Sequence, residues 1–284
     1  KAKEIGVVAK HSMEKTAAQN ADCFTTVSEI TATECKQFLE RDVDVVTPNG
    51  FEDSFVPKGD EFIRMQAAAK AKMKKVAEMV LDYELPDDTM FIVNSGRYEF
   101  KNKGIDLFVE AMGDLNRHSD NKKTAVAFVM VPANNYGPRK DLLSKIAGDK
   151  NTQSEGGFTT HYVHHAEYDQ ILNAILGSGI QNTKEEKVKI IYVPSYLDGN
   201  DGIFDMKYYD LLIGMDVSVF PSYYEPWGYT PLESLAFSVP TITTNHAGIG
   251  MWVNREMAHA NRGIDVLERT VGHDKTIVDR IVDR

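Results

Sequence analysis

The stretch Val219-Phe220-Pro221-Ser222-Tyr223-Tyr224-Glu225-Pro226-Trp227-Gly228-Tyr229-Thr230-Pro231-Leu232-Glu233 follows a short β-branched run at 216–220 and leads into a helix expected over 229–238. A strand, a glycine-containing turn and then a helix form one unit of a parallel α/β sheet, with the turn at the carboxyl edge of the strands, where such sheets bind ligands. Thr230 reads as an N-cap, Pro231 suits the first helical position and Glu233 completes a capping box. The free amides of that turn, backed by the helix dipole, make an anion site, and Gly228 lets backbone approach a ligand closely.

Outward from this unit the same alternation recurs. Strands are expected at 89–93, 124–131, 188–193, 216–220, 240–244 and 263–267, with helices at about 104–116, 138–147, 166–177, 206–213, 229–238 and 273–282. Six strands with intervening helices make a doubly wound, Rossmann-like parallel sheet over 88–284 with right-handed crossovers. Residues 134–157 are polar and read as a surface insertion.

Residues 1–55 differ. A strand at 21–27, a helix opening at Thr31-Ala32-Thr33-Glu34 with Cys35, Phe38 and Leu39 on one face, and a strand at 43–47 are too few to bury a sheet on both faces. They read as the end of a second α/β lobe, joined to the first by a linker over 56–87 that carries a long Ala/Lys/Met-rich helix at 60–82. The opening Lys1-Ala2-Lys3-Glu4-Ile5 resembles neither an initiator nor a signal peptide, so the chain is expected to be a fragment.

The composition is that of an ordinary globular protein of 284 residues, 42% hydrophobic and 26% charged, without an apolar run near the length of about eighteen residues that would span a membrane. A formal charge of −10 argues against nucleic-acid and anionic-membrane partners. Cys23 and Cys35, the only cysteines, have no metal-ligand spacing and fit a reducing, cytoplasmic compartment. His161, His164 and His165 are spaced for no common zinc site.

Two groups of residues carry chemistry. Glu225 and Glu233 stand eight apart across the turn, and spacing alone leaves each open to a plain reading, as a solvated loop acid and a helix cap respectively. Arg97 and Lys103 lie in Ser95-Gly96-Arg97-Tyr98-Glu99-Phe100-Lys101-Asn102-Lys103-Gly104, a strand-to-helix loop at the same sheet edge, where two cations either neutralise a diphosphate or are merely solvated.

These motifs, with Ala-Asp-Cys-Phe-Thr-Thr-Val-Ser at 21–28, resemble the C-terminal lobe of glycogen synthases of the animal and fungal, UDP-glucose-using type, and the likeness covers nearly the whole chain. The family implied is a retaining glycosyltransferase of GT-B fold, and the Trp227 and Tyr229 context separates it from the ADP-glucose-using synthases. The resemblance implies that Arg97 and Lys103 bind the diphosphate and stabilise departing UDP without a metal or other cofactor. By the same likeness Glu225 faces the glucosyl ring, the backbone of Trp227 and Gly228 holds the sugar, and that of Tyr229 and Thr230 holds the phosphate. Glu233 accepts from the ribose, while Tyr196 and Tyr208, flanking Asp-Gly-Asn-Asp-Gly at 198–202, sandwich uracil.

The implied reaction moves glucose from UDP-glucose to the 4-hydroxyl at the non-reducing end of an α-1,4-glucan (glycogen), the chain alone being expected to bind UDP without turnover. The short 134–165 segment, and an end at Arg284 before the family's arginine-rich helix, point to a bacterial-type, unregulated member and leave a homo-oligomer undecided. Two alternatives stay open: a UDP-sugar epimerase of the same fold, which would release or epimerise sugar without polymer growth, and a non-catalytic UDP- or glucan-binding module, which would survive loss of Glu225.

Overall fold

The computed structural model describes residues 2–118, 123–149, 151–257, 263–270 and 272–284. Its centre is a six-stranded, wholly parallel sheet of order β10-β9-β8-β3-β4-β7, from β3 (Met90–Ser95), β4 (Ala125–Met130), β7 (Val188–Tyr192), β8 (Val217–Val219), β9 (Thr241–Thr244) and β10 (Ile264–Leu267). All six expected strands form. The strand order reverses between β3 and β8: the chain winds outward from β3 to β4 and β7, then returns to β8 on the other side of β3. Loops leaving two such strands diverge and open a crevice at the carboxyl edge.

Both sheet faces are covered, which is why the strand sequences are nearly continuous apolar runs. In β4 the alternation is plain. Ala125, Ala127 and Val129 face a core shared with α4 (Ile105–Arg117), α6 (Gln170–Gly177) and α10 (Asp274–Asp283). Val126, Phe128 and Met130 face the core under α3 (Gly59–Leu81), α5 (Lys140–Ile146) and α7 (Tyr208–Leu212). Asp216, at the start of β8, ties α3 to the sheet by accepting from Lys70 Nζ at 2.5 Å and from the Phe91 amide at 2.8 Å.

Several expectations need correction. The expected helix over 166–177 is broken: a 3₁₀ turn at Ala166–Tyr168 ends at Asp169, whose extended backbone and side chain, accepting from the Leu172 amide at 2.8 Å, start α6 afresh. The 134–157 insertion is not all irregular surface: it contains α5 and β5 (Asn135–Pro138), which pairs antiparallel with β6 (His161–Val163) just past its end; its residue 150 lies outside the described residues. A helix absent from the sequence reading, α9 (Gly248–Glu256), follows β9, its signal masked by two weak helix formers, Gly248 and Gly250.

In the first fifty-five residues, α1 (Val8–Asn20) precedes a parallel pair of two-residue strands, β1 (Thr25–Thr26) and β2 (Val45–Val46), joined through α2 (Glu29–Leu39). The capping box of α2 is Ser28 with Thr31 rather than one opening at Thr31: the Thr31 amide donates to Ser28 Oγ at 3.3 Å and the Ser28 amide to Thr31 Oγ1 at 3.2 Å. The expected apolar face of α2 is not buried, and Phe38 remains 57% exposed.

Candidate active site

The site begins at the crevice where β3 and β8 part. Their ladder lasts two residue pairs, Ile92 with Val217 and Val93 with Ser218, after which the Asn94 side-chain amide bridges the gap by donating to the Val219 carbonyl at 2.7 Å. Beyond it the two loops are bonded to each other: the amides of Tyr223 and Tyr224 both donate to the Asn102 carbonyl, at 2.9 and 3.2 Å. Gly104 makes this approach possible, because with φ of 68° it sits so close to Pro221 that any Cβ would collide with the Pro221 carbonyl.

The loop contact delivers Lys103 onto Glu225. Their side chains form a close ion pair, 16% and 13% exposed. Glu225 is further held through its backbone, which donates to the His246 carbonyl at 3.1 Å and accepts from the Gly248 amide at 3.1 Å; the Ile249 amide then donates to the Trp227 carbonyl at 2.7 Å. Segment 244–249 is thus a support for the carboxylate that sequence reasoning missed. Gly248 fits only because it lacks a side chain, since a Cβ would run into the Pro226 carbonyl and stand 2.7 Å from the Ser28 Cβ.

Behind the loops lies a second missed feature, a network around Tyr223. Its hydroxyl donates to Asp274 at 2.8 Å or Asp106 at 3.0 Å and accepts from Lys101 at 2.7 Å. The Arg269 guanidinium carbon lies 3.3 Å from the ring centroid, and Arg269 in turn donates to Asp274 at 2.5 Å. The cluster fastens the start of α4, the start of α10 and both site loops two residues from Lys103 and Glu225. Such networks are visible only when distant segments meet, so no local signal marks them.

Helix α8 (Tyr229–Ala236) starts one residue before the expected Thr230 cap. Its N-cap is Gly228, at φ of 105°, which leaves Glu233 at the fifth helical position, too far along to return to the cap amide. The capping box therefore does not form. Glu233 instead accepts from the Tyr209 hydroxyl at 2.9 Å, and burial holds its carboxyl above the ordinary value, partly offset by Tyr209 and by the charge of Lys103. The same burial, together with Glu233, pushes Tyr209 up to about 12. Helical geometry leaves the first-turn amides of Tyr229 and Thr230 without intrahelical acceptors.

Glu233 and Thr230 line a cavity of about 280 Å³ whose other walls include Ser95, Gly96, Tyr196 and Tyr208. Tyr208 shares a 2.7 Å hydrogen bond with Ser95 Oγ, which fixes its ring, whereas Tyr196 is 78% exposed at the rim. The loop between the two tyrosines is wound around buried Asp201, whose carboxylate accepts the amides of Phe204 at 2.9 Å and Asp205 at 2.8 Å. A cavity with two tyrosines and a carboxylate in its walls and the first turn of a helix beside it suits a nucleoside carrying phosphate.

Of the expected residues, the structure therefore pairs Lys103 with Glu225 and gathers Tyr196, Tyr208, Thr230 and Glu233 around one cavity. Trp227 is buried, 5% exposed, in a small core with Ile249 and Val253, so its contribution to a ligand is confined to its backbone. Tyr229 is half exposed. Arg97 is not brought to the turn: its side chain is 79% exposed and pairs with Glu99 at 2.9 Å. The three histidines do not converge either. Both ring nitrogens of His161 are engaged, with Thr160 at 2.8 Å and the Asp201 carbonyl at 2.9 Å, and burial lowers its affinity for a proton.

The profile of the glycogen synthase family matches residues 1–154 and 139–283 of the sequence. The chain belongs to the glycogen synthase family. The two matched stretches overlap at 139–154, within the excursion between β5 and β6. Among curated relatives, the chain is 31% identical to glycogen (starch) synthase isoform 2 of Saccharomyces cerevisiae, over 98% of its own length and 49% of that protein. It is 32% identical to liver glycogen (starch) synthase of Mus musculus, over 92% of its own length and 45% of that protein. The chain thus spans about half the length of the curated relatives it matches. In fold it is similar to sucrose-phosphate synthase of Thermosynechococcus elongatus, with a TM-score of 0.53 at 19% identity over 96% of this chain and 51% of that one. The N-terminal domain of Candida albicans trehalose-6-phosphate phosphatase gives a TM-score of 0.54 at 13% identity over 97% and 53%. Among the described residues no helix is long and apolar enough to cross a membrane.

Proposed function

We propose that this chain forms the nucleotide-sugar site of a retaining glucosyltransferase that moves glucose from UDP-glucose to the 4-hydroxyl at the non-reducing end of an α-1,4-glucan. The observation that carries the reading is the Lys103–Glu225 pair, set at the β3/β8 strand reversal beside the cavity of Thr230 and Glu233. Uracil lies between Tyr196 and Tyr208, the ribose hydroxyls donate to Glu233, and the diphosphate meets the amides of Tyr229 and Thr230 together with Lys103. Entry of the diphosphate gives Lys103 a second anionic partner, which loosens its hold on Glu225 and frees that carboxylate to accept from the sugar hydroxyls. As the glycosidic bond to UDP breaks, negative charge grows on the phosphate next to Lys103 and positive charge on the sugar ring next to Glu225, so both ends of the ion pair favour the transition state.

Arg97 is assigned to the same diphosphate. Its exposed arm exchanges Glu99 for phosphate, an exchange that costs little because surface pairs of this kind contribute only about 0–1 kcal/mol. Unbridged Cys23 and Cys35 fit work in a reducing, cytoplasmic compartment.

Calorimetry with UDP and transfer of radiolabelled glucose from UDP-glucose to glycogen test the reading. UDP is expected to bind the chain, and Lys103→Ala to weaken binding by about 1–3 kcal/mol, the usual worth of a charge-assisted hydrogen bond. Failure of UDP to bind, or binding indifferent to Lys103, refutes the donor site. Release or epimerisation of sugar without polymer growth moves the assignment to an epimerase.

A further inference from the structure

Two adjacent tyrosines of α7 serve the nucleotide cavity in different ways. Tyr208 lines it, fixed by its 2.7 Å hydrogen bond with Ser95, whereas Tyr209 stands behind the lining and donates its hydroxyl proton to Glu233 Oε1 at 2.9 Å. We propose that Tyr209 is a positioning residue for the nucleotide: it holds the Glu233 carboxylate in place to accept from the sugar, and so sets the preference of the site for a ribose that carries both its 2′- and 3′-hydroxyls. The inference rests on the donor-site reading above, in which Glu233 accepts from the ribose.

Glu233 needs such a partner. Its place at the fifth position of α8 removes it from the cap amide, and among the described residues no other side chain donates a hydrogen bond to it. Oε1 is thus taken by Tyr209, while Oε2 keeps its acceptor sites for a ligand. The other charged or titratable groups that face the carboxylate are Lys103, whose charge favours the ionised form, and Tyr208 and Asp198, which share its cavity. Burial works against the ionised form, and Lys103 is already engaged by Glu225. The direct bond from Tyr209 is therefore what orients the group, and a bond to a charged acceptor is stronger than one between neutral partners. Without it the carboxyl is left to rotate or to take up a proton, and a bound ribose has to order it.

Tyr209 can act in this way because it is itself fixed. Its ring lies nearly parallel to that of Phe237, at 14° with centroids 5.2 Å apart, and meets Phe55 at 5.5 Å and Phe51 at 6.4 Å. Phe237 closes α8, the helix that carries Glu233, and the buried Leu211 and Leu212 root α7 in the core. Three stretches of chain, the residues before α3, α7 and α8, thus meet behind one carboxylate.

Calorimetric titration of the chain and of Tyr209→Phe with UDP and with 2′,3′-dideoxy-UDP tests the inference. The phenylalanine keeps the ring in its stack and removes the hydroxyl alone, and a thermal melt reports that the variant is folded. The unaltered chain is expected to bind UDP at least about tenfold more tightly than the dideoxy nucleotide, a difference of ~1.4 kcal/mol. Tyr209→Phe should weaken UDP about tenfold while binding of 2′,3′-dideoxy-UDP stays within about twofold. A merely structural tyrosine would move both nucleotides together, so equal weakening of the two overturns the inference, as does UDP binding that is unchanged or tighter in the variant. A chain that prefers UDP to the dideoxy nucleotide with or without the Tyr209 hydroxyl leaves the donor site standing and Tyr209 without this role. An unaltered chain that binds the two equally has no ribose contact to position, and one that binds neither brings down the donor assignment and this inference with it.

Discussion

The sheet over 88–284 and the first fifty-five residues contain the same ingredients, parallel strands joined through helices, yet they are held in different ways. In the sheet, β4 buries all six of its residues and helices cover both faces. In the first segment, α2 buries none of its residues and α1 only Ala18, while Ile5, Met13 and Phe38 are 72%, 71% and 57% exposed. What secures the segment is contact with its neighbours: Tyr224 donates to Glu34 at 2.7 Å, Arg255 of α9 pairs with Glu29 at 2.5 Å, and Val27, Phe51 and Phe55 pack on side chains of the larger unit, the two phenylalanines against Tyr209. Secondary structure can thus form without a core of its own, but its stability is then borrowed from neighbours.

The sharpest test of that contrast is a pair of phenylalanines. Phe128→Ala, in the middle of β4 and fully buried, is expected to cost about 3–5 kcal/mol, read as a shift of the denaturant midpoint. A cost below about 1 kcal/mol would mean the sheet is no better packed than the segment. Next in size is Gly104→Ala, which combines a left-handed backbone with a collision at Pro221 and is expected to cost about 2–4 kcal/mol, with loss of UDP binding as the two site loops separate. Unchanged UDP affinity would show that the loops tolerate separation.

A smaller effect concerns Glu233. Its carboxyl is held above the ordinary value of 4.5 by burial, so the folded state favours the protonated form, and the stability this brings is fully present below the unfolded value and lost as pH rises through the folded one. Glu233→Gln should therefore match the unaltered protein in acid and become relatively more stable from about pH 4.5 upward, followed by thermal melts across that range. A constant difference at all pH values would refute the assignment. Smallest of all, Phe38→Ala on the exposed face of α2 should change stability by no more than about 0.5 kcal/mol.

What could be read from the residues follows the same division. The β-branched runs announced all six strands because burial on both faces demands continuous apolar sequence, and the loops after β3 and β8 could be set at one sheet edge, where the structure pairs Lys103 with Glu225. Helix α9 was hidden by Gly248 and Gly250, which are there for close packing and not for helicity. The cap of α8 was misplaced because Thr230 and Glu233 have the composition of a capping box, whereas Gly228 has the backbone freedom that decides where the helix begins. The Tyr223 network has no local signature at all, since it joins residues more than fifty positions apart.

Gly248 has mechanical consequences for the whole arrangement. With no side chain to yield, it lets the backbone of Pro226 and Trp227 and the Cβ of Ser28 bear on its own backbone like stones around a common wedge. A push on the chain near residue 28 therefore cannot be absorbed by a rotamer change at that point. It is passed to the peptide units of Pro226 and Trp227, next to Glu225, which couples the aim of that carboxylate to load applied from outside the sheet.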